Sequence, residues 1–310
     1  MTPRVSIGMP VFNGADYLRM ALESILDQTF TDMEVVISDN ASTDDTQAIC
    51  EEFAARDPRI LYSRNLVNQG AQPNFNRVLE LSRGEYFKWA SHNDWISPRY
   101  LEKCVAAADK DPSVVLVYGQ MCRVDAQLNT RVMILEPSPI VRSSSAARRF
   151  HDSLWQLPYH PIFGLFRSSA LRETEGLPNK PEPDRVLLAE IAMKGRFAQV
   201  PDVTLFQTSS DRKDTWTWQN RDNKKQPFVN TFRSTEALRT VMMSSPSVSS
   251  VGKALLLADL VVFQVASRVR GKIRQYRRRL RLGYGRGEQL DPGSVEREIA
   301  RLIELDRQTG

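Results

Sequence analysis

The first strand-to-helix turn of this chain lacks the G-x-G-x-x-G of dinucleotide-binding proteins, and no G-x-x-x-x-G-K-[ST] phosphate loop occurs in its 310 residues. These absences exclude nicotinamide-type dehydrogenases and P-loop enzymes, whose glycines let backbone N–H groups close on phosphate. A nucleotidyltransferase is disfavoured too, because it calls for a Gly-rich, Arg/Lys-bearing loop at that same turn. Cysteine is scarce: Cys50, Cys104 and Cys122 are odd in number and show no metal-ligand spacing, which suits free buried thiols in a reducing compartment. No apolar run reaches the roughly 20 residues that cross a bilayer. The chain opens on a strand pattern rather than a basic-then-apolar secretion leader. A cytoplasmic protein is expected, without internal repeats or low-complexity linkers.

What is present is a regular alternation of short apolar runs and helical periodicities. Strands are predicted at Val5–Met9, Met33–Ser38, Ile60–Ser63, Tyr86–Ala90 and Val114–Tyr118, with helices between them. Leu18, Leu22 and Ile25 form the first helical face, and Phe75, Val78 and Leu79 another. Ser42 with Asp45 reads as a capping box, and Ser97-Pro98 as an N-cap and first-turn pair. Such alternation predicts an α/β fold with a mostly parallel sheet flanked by helices. Beyond Gly119 the rhythm breaks. A hairpin is expected around Gln127-Leu128-Asn129, then a helix near Ser143–His151, a helix at Asp184–Lys194, and a strand pair at Phe197–Val200 and Val203–Gln207.

Two polar turns carry the functional signal. VSIGMPVFN (Val5–Asn13) ends the first strand, and VVISDNASTDDT (Val35–Thr46) ends the second. Both lie at the carboxyl edge, where open α/β sheets place ligands. Together they resemble the nucleotide-sugar half of a family 2 glycosyltransferase with a GT-A fold, a likeness that runs over roughly residues 4–210. The resemblance implies a Rossmann-like domain over 1–225, with a nucleotide-sugar half at 1–118 and an acceptor half at 119–225. A helical, basic extension follows at 226–310.

It also implies an inverting transfer of a sugar from a UDP- or dTDP-linked donor to a hydroxyl acceptor, in cell-surface glycan or glycolipid synthesis. Pro10, Phe12 and Asn13 would wall the base, and Asp39 would accept from the N3–H of uracil or thymine. Family members carry Asp-x-Asp or Asp-Asp after a central strand to hold Mg²⁺ or Mn²⁺. Here the stretch reads Ser91-His92-Asn93-Asp94, so Asp94 is the one carboxylate left, with His92 a weaker candidate ligand and Asn93 at the donor. Asp184 would deprotonate the acceptor, with Glu182 as its alternate. Arg212 or Lys213, beside Trp216 and Trp218, would meet the diphosphate. His160-Pro161-Ile162-Phe163-Gly164 would line the acceptor side. Each of these also has a plain structural reading: an Asx turn for Asp39, a loop carboxylate for Asp94, a helix-dipole partner for Asp184. The altered metal stretch leaves a catalytically silent nucleotide-sugar binder or scaffold as the alternative.

Charge is unevenly distributed. The formal net charge is +5, yet nine Lys/Arg and no acid fall between Arg268 and Arg286, which leaves the rest of the chain net acidic. Just before them lies Ala254–Ser267, ALLLADLVVFQVAS, helical in pattern and apolar almost all round. Two readings stay open: a helix packed on the catalytic domain, or a peripheral contact with an anionic membrane at the inner face of the plasma membrane, suited to a lipid-linked acceptor. No nucleic-acid partner is expected.

Overall fold

A computed structural model describes residues 2–125, 133–135, 141–155, 160–209 and 227–263. The chain begins β1 (Val5–Val11), α1 (Ala15–Leu26), β2 (Met33–Asp39), α2 (Thr46–Arg56), β3 (Ile60–Arg64), α3 (Ala71–Leu81), β4 (Tyr86–Trp89). These four strands pair in parallel, with β1 between β2 and β4 and with β3 outside β2. Every residue of β1 and β2 is buried. Helices on both faces of a parallel sheet demand this, so the strands read as continuous apolar runs.

The second half runs β5 (Asp94–Ile96), α4 (Tyr100–Lys110), β6 (Val114–Asp125), β7 (Met133–Leu135), α5 (Ala146–Trp155), a 3-10 turn (His160–Phe163), β8 (Leu165–Arg167), α6 (Ser168–Arg172), α7 (Pro183–Lys194), β9 (Arg196–Ser209), α8 (Pro227–Ser244). A further helix, α9, covers 250–263 among the described residues. The short β8 pairs antiparallel with both β4 and β6, which joins the halves into one sheet ordered β3-β2-β1-β4-β8-β6-β9-β5, with β7 beside β6. The long ladder between β6 and β9 is again parallel.

Several local expectations change. The Ser42–Asp45 capping box does not form: α2 starts after Asp45, and the Ser42 hydroxyl accepts from the Asn13 N–H at 2.9 Å instead. Helix α4 starts after Arg99 rather than at Ser97, whose hydroxyl accepts from the Thr204 N–H at 3.0 Å. The strand pair expected at 197–207 is one strand, β9. Its pairing with β6 jumps from Tyr118↔Gln199 to Gln120↔Thr204, so residues 200–203 bulge outward. Pro201 lies in that bulge, where its missing N–H costs the ladder nothing. Opposite it, a Cβ on Gly119 would sit 2.4 Å from the Val203 carbonyl oxygen, so only glycine admits this approach. The tip of the expected hairpin, Gln127-Leu128-Asn129, lies outside the described residues; the flanking strands β6 and β7 do pair antiparallel.

The main core fills both faces of the sheet. A second core lies beside it, built by Phe150 and Leu154 of α5, Val186, Ala189 and Met193 of α7, Ala237, Leu238 and Met242 of α8, and Leu256, Leu260 and Phe263 of α9. Among the described residues, no helix is long and apolar enough to cross a membrane. Leu238 has no exposed surface, so Leu238→Ala should lower unfolding free energy by about 2–5 kcal/mol, the range for a buried Leu truncated with a cavity left behind. Urea denaturation of the full chain measures it, and an unchanged midpoint would mean α8 does not dock on α7.

Candidate active site

The carboxyl ends of β1, β2 and β4 lie side by side, because β1 pairs with both neighbours. Pro10 lies inside β1 opposite Ser38, and the turn proper is Phe12 to Gly14. Phe12 is 42 % exposed, so it is no core residue and its ring stands at the edge. Asn13 takes the left-handed conformation, φ 51°, which asparagine tolerates better than most residues.

The two turns are tied together by hydrogen bonds. The Asn13 side chain accepts from the Thr43 N–H at 2.8 Å, while the Gly14 N–H donates to the Thr46 hydroxyl at 2.9 Å and the Ala15 N–H to Asp44 at 3.1 Å. The second turn thus caps the first helix, whose opening N–H groups would otherwise lack partners. A third turn packs on the same place: a Cβ on Gly14 would meet the His92 ring at 2.7 Å.

Asp39 has no exposed surface. One carboxylate oxygen accepts from the Ser42 N–H at 2.9 Å; the other accepts from the Tyr62 hydroxyl at 3.1 Å and from the Arg64 guanidinium. Arg64 also donates to the Ser42 carbonyl at 2.8 Å and keeps a third of its side chain exposed. Burial and the adjacent Asp39 charge push the Tyr62 phenol well above its ordinary value. Around this group lies a lattice of side-chain amides. Asn40 donates to Asn68 and to the Gly70 carbonyl, and accepts from Asn65 and from the Gln69 N–H. Asn74 closes it, donating to the Ser38 carbonyl and accepting from the Ser38 hydroxyl at 2.6 Å. Sequence reading missed Tyr62, Arg64 and the asparagines. Their shared amide and donor chemistry next to a strand-end Asp was the available signal.

Asp94 opens β5 and pairs with Gln207 of β9. Its carboxylate is buried and accepts from the Thr208 N–H at 3.2 Å. The Asn93 amide donates to the Thr208 hydroxyl at 2.8 Å, and its oxygen accepts from the Ser91 hydroxyl. Thr208, 114 residues away along the chain, therefore holds the whole Ser91–Asp94 turn, and no local pattern pointed to it. Burial pushes the His92 imidazole down to about 4, so it is neutral near pH 7.

The residues present fit a divalent cation only in part. Among the described residues, no three His, Cys, Asp or Glu side chains come together as a metal site. One carboxylate suits a hard cation that arrives on a diphosphate and keeps water or phosphate oxygens as its other ligands.

Beneath this edge, Lys88 of β4 is fully buried. Its ammonium donates to the Phe163 and Trp89 carbonyls and lies 5.0 Å from the Tyr100 ring centroid. Burial pulls it down to about 8. The 3-10 turn that supplies Phe163 also packs on α7, the helix carrying Asp184 in its first turn after a left-handed Glu182, φ 51°. Burial raises the Asp184 carboxyl above its ordinary value. Glu182, by contrast, is exposed and lies 3.5 Å from the Arg185 guanidinium. Arg212, Lys213, Trp216 and Trp218 lie outside the described residues.

Known proteins share this architecture. The chain is 36 % identical over 127 residues to the chondroitin synthase of Escherichia coli, covering 41 % of this chain and 18 % of that one. It is 34 % identical over 115 residues to the putative glycosyltransferase EpsH of Bacillus subtilis, covering 37 % of this chain and 33 % of that one. The match thus spans well under two thirds of either relative. Among solved structures, S. aureus TarS 1–349 with UDP superposes with a TM-score of 0.62 at 20 % identity, over 84 % of this chain and 71 % of that one. The mannosyltransferase PcManGT of Pyrobaculum calidifontis, with GDP-Man and Mn²⁺, gives 0.55 at 16 % identity, over 99 % and 86 %. The sheet is therefore that of the GT-A glycosyltransferases. The model of Glycosyl transferase family 2 matches residues 6–175, more than half of the chain, and the protein belongs to that family of glycosyltransferases.

Proposed function

We propose that this glycosyltransferase moves a sugar, with inversion, from a UDP- or dTDP-linked donor to a hydroxyl acceptor on a carbohydrate or lipid-linked carrier in cell-surface glycan synthesis. The observation that carries the reading is the placement of three carboxyl groups, Asp39 and Asp94 buried and Asp184 half-buried. Asp39 and Asp94 stand at strand ends of one edge, and Asp184 stands apart at a helix start. In this reading Phe12, Pro10 and Asn13 flank the base, and Asp39 accepts its imide N–H. Both Asp39 oxygens already have partners, so Arg64, a third of whose side chain is exposed, turns outward as the base arrives and donates to the neighbouring carbonyl. An imide edge, a donor N–H beside a C=O, suits this acceptor–donor pair, whereas cytosine and adenine present the wrong pattern.

Asn93 and Asp94, held by Thr208, face the diphosphate. Asp94 would hold a divalent cation there, which would supply charge neutralisation on the leaving group. At the other end, the Asp184 carboxylate takes the acceptor hydroxyl proton as that oxygen attacks the anomeric carbon. The bond from that carbon to the diphosphate breaks, and its electron pair leaves with the nucleotide. Burial suits Asp184 to this role by raising its basicity. The single carboxylate at the metal stretch also favours a second reading, a donor-binding protein without turnover. Donor consumption that Asp94→Ala abolishes rejects that alternative.

Asp39→Ala should weaken UDP and dTDP binding by about 1.5–3 kcal/mol, the worth of a hydrogen bond to a charged group; calorimetry that finds unchanged affinity for both removes Asp39 from the base site. Mn²⁺ should bind the free chain weakly and bind more tightly once UDP is present. That gain should vanish in Asp94→Ala, and titration calorimetry with and without UDP reads it directly. Asp184→Asn should cut turnover by roughly 10²–10⁴ and leave the donor Kd unchanged. Because a base must be deprotonated and this carboxyl is raised, wild-type turnover should fall on acidification at a pH above the ordinary aspartate range. The Asn variant should lack that limb; near wild-type turnover in it would move the role to Glu182.

A further inference from the structure

Helix α9 carries apolar residues on two opposite faces, and the protein covers one of them. Leu256, Leu260 and Phe263 are 5 %, 2 % and 6 % exposed, sealed into the second core. The same side is pinned by Asp259, which accepts from the Trp155 indole N–H at 2.9 Å and lies 2.8 Å from the His151 ring. Half a turn round the helix, Val251, Ala254, Leu255, Ala258, Val261 and Val262 are all exposed. Val251 and Leu255 keep 72 % and 69 % of their surface in water, Val261 and Val262 60 % and 57 %. Their spacing by threes and fours makes a single stripe along the helix, and no charged residue falls within it. Scattered exposed leucines need no explanation, but a contiguous stripe marks a contact surface.

Charge decides between the two candidate occupants. In sequence, the stripe is followed within a few residues by Arg268–Arg286, with nine Lys/Arg and no acid. A second copy of the chain packed stripe on stripe would bring an identical basic run next to the first. An anionic lipid surface offers an apolar layer for the stripe and opposite charge for the run that follows. The apolar stretch Ala254–Ser267 is shorter than the roughly 20 residues that cross a bilayer, so an apolar face of this kind would lie in the plane of the interface.

We propose that the outer face of α9 docks the enzyme on an anionic membrane, Leu255 and Val262 entering the interface. No residue of the stripe belongs to the donor edge, and vesicle binding is read without turnover, so failure of the docking and failure of the transfer reading are distinguishable. The test is co-sedimentation of the full 310-residue chain with phosphatidylcholine vesicles, with and without phosphatidylglycerol. Pelleting should require the anionic lipid and decline as salt is raised. The double substitution Leu255→Glu and Val262→Glu should reduce vesicle partitioning by about tenfold or more, since it places two charges where apolar side chains enter. Its melting temperature should match wild type, because both side chains are exposed. Equal pelleting with neutral vesicles, no pelleting, or unchanged partitioning of the double variant would overturn the proposal. So would a wild-type dimer in light scattering that the double variant abolishes, which would give the stripe to a second copy.

Discussion

Asp39 has no contact with solvent, and a buried carboxylate is tolerated only where hydrogen bonds and a counter-charge replace its water. That requirement organises the edge of the sheet. It brings Tyr62 and Arg64 over from the end of β3 and fixes the Ser42 N–H of the turn after β2. With that turn held, Ser42, Thr46 and Asp44 reach the N–H groups of Asn13, Gly14 and Ala15, so the first helix is capped from the second turn. The donor edge is in this sense one hydrogen-bonded unit, built around a charge that water cannot reach. Burying a charge there is costly, and the hydrogen bonds from Ser42, Tyr62 and Arg64 offset that cost.

A second dependence runs between the halves of the molecule. The turn that carries Asn93 and Asp94 follows β4, in the first half, but its hydrogen-bond partner is Thr208 at the far end of β9. Lys88, in the same strand β4, donates to the carbonyl of Phe163, in the 3-10 turn on which α7 packs. The turn of Asn93 and Asp94 and the helix that carries Asp184 are thus attached to each other through β4 and its neighbours. Short antiparallel strands stitched into a parallel core make that connection.

Much of this was readable from the residues alone. The β1–α1–β2 unit, the alternation through β4 and α4, and the helix at 183–194 follow from period-2 and 3.6-residue patterns that local sequence encodes. The family resemblance came from the same stretch, because strand ends with polar turns are contiguous in sequence. Local rules failed where a side chain had a better distant partner. Ser42 and Ser97 look like helix caps but spend their hydroxyls on Asn13 and Thr204. The break at Val200–Val203 looks like a turn between two strands, yet both pieces pair with the same neighbour, β6, and make one strand with a bulge.

Sequence by itself determined which segments bury apolar surface, which turns are polar, and where the basic charge is concentrated, because these depend on residues within one or two turns of each other. Tertiary structure alone decided that Arg64 and Tyr62 close over Asp39, that Thr208 holds Asp94, and that Asp184 is half-buried while Glu182 is exposed, because these arrangements depend on residues brought together only by the sheet order. It also decided which side of α9 faces inward. With apolar residues nearly all round, its periodicity had no preferred direction, and only the surfaces of α5, α7 and α8 beside it chose Leu256, Leu260 and Phe263 for the core and left Leu255 and Val262 in water.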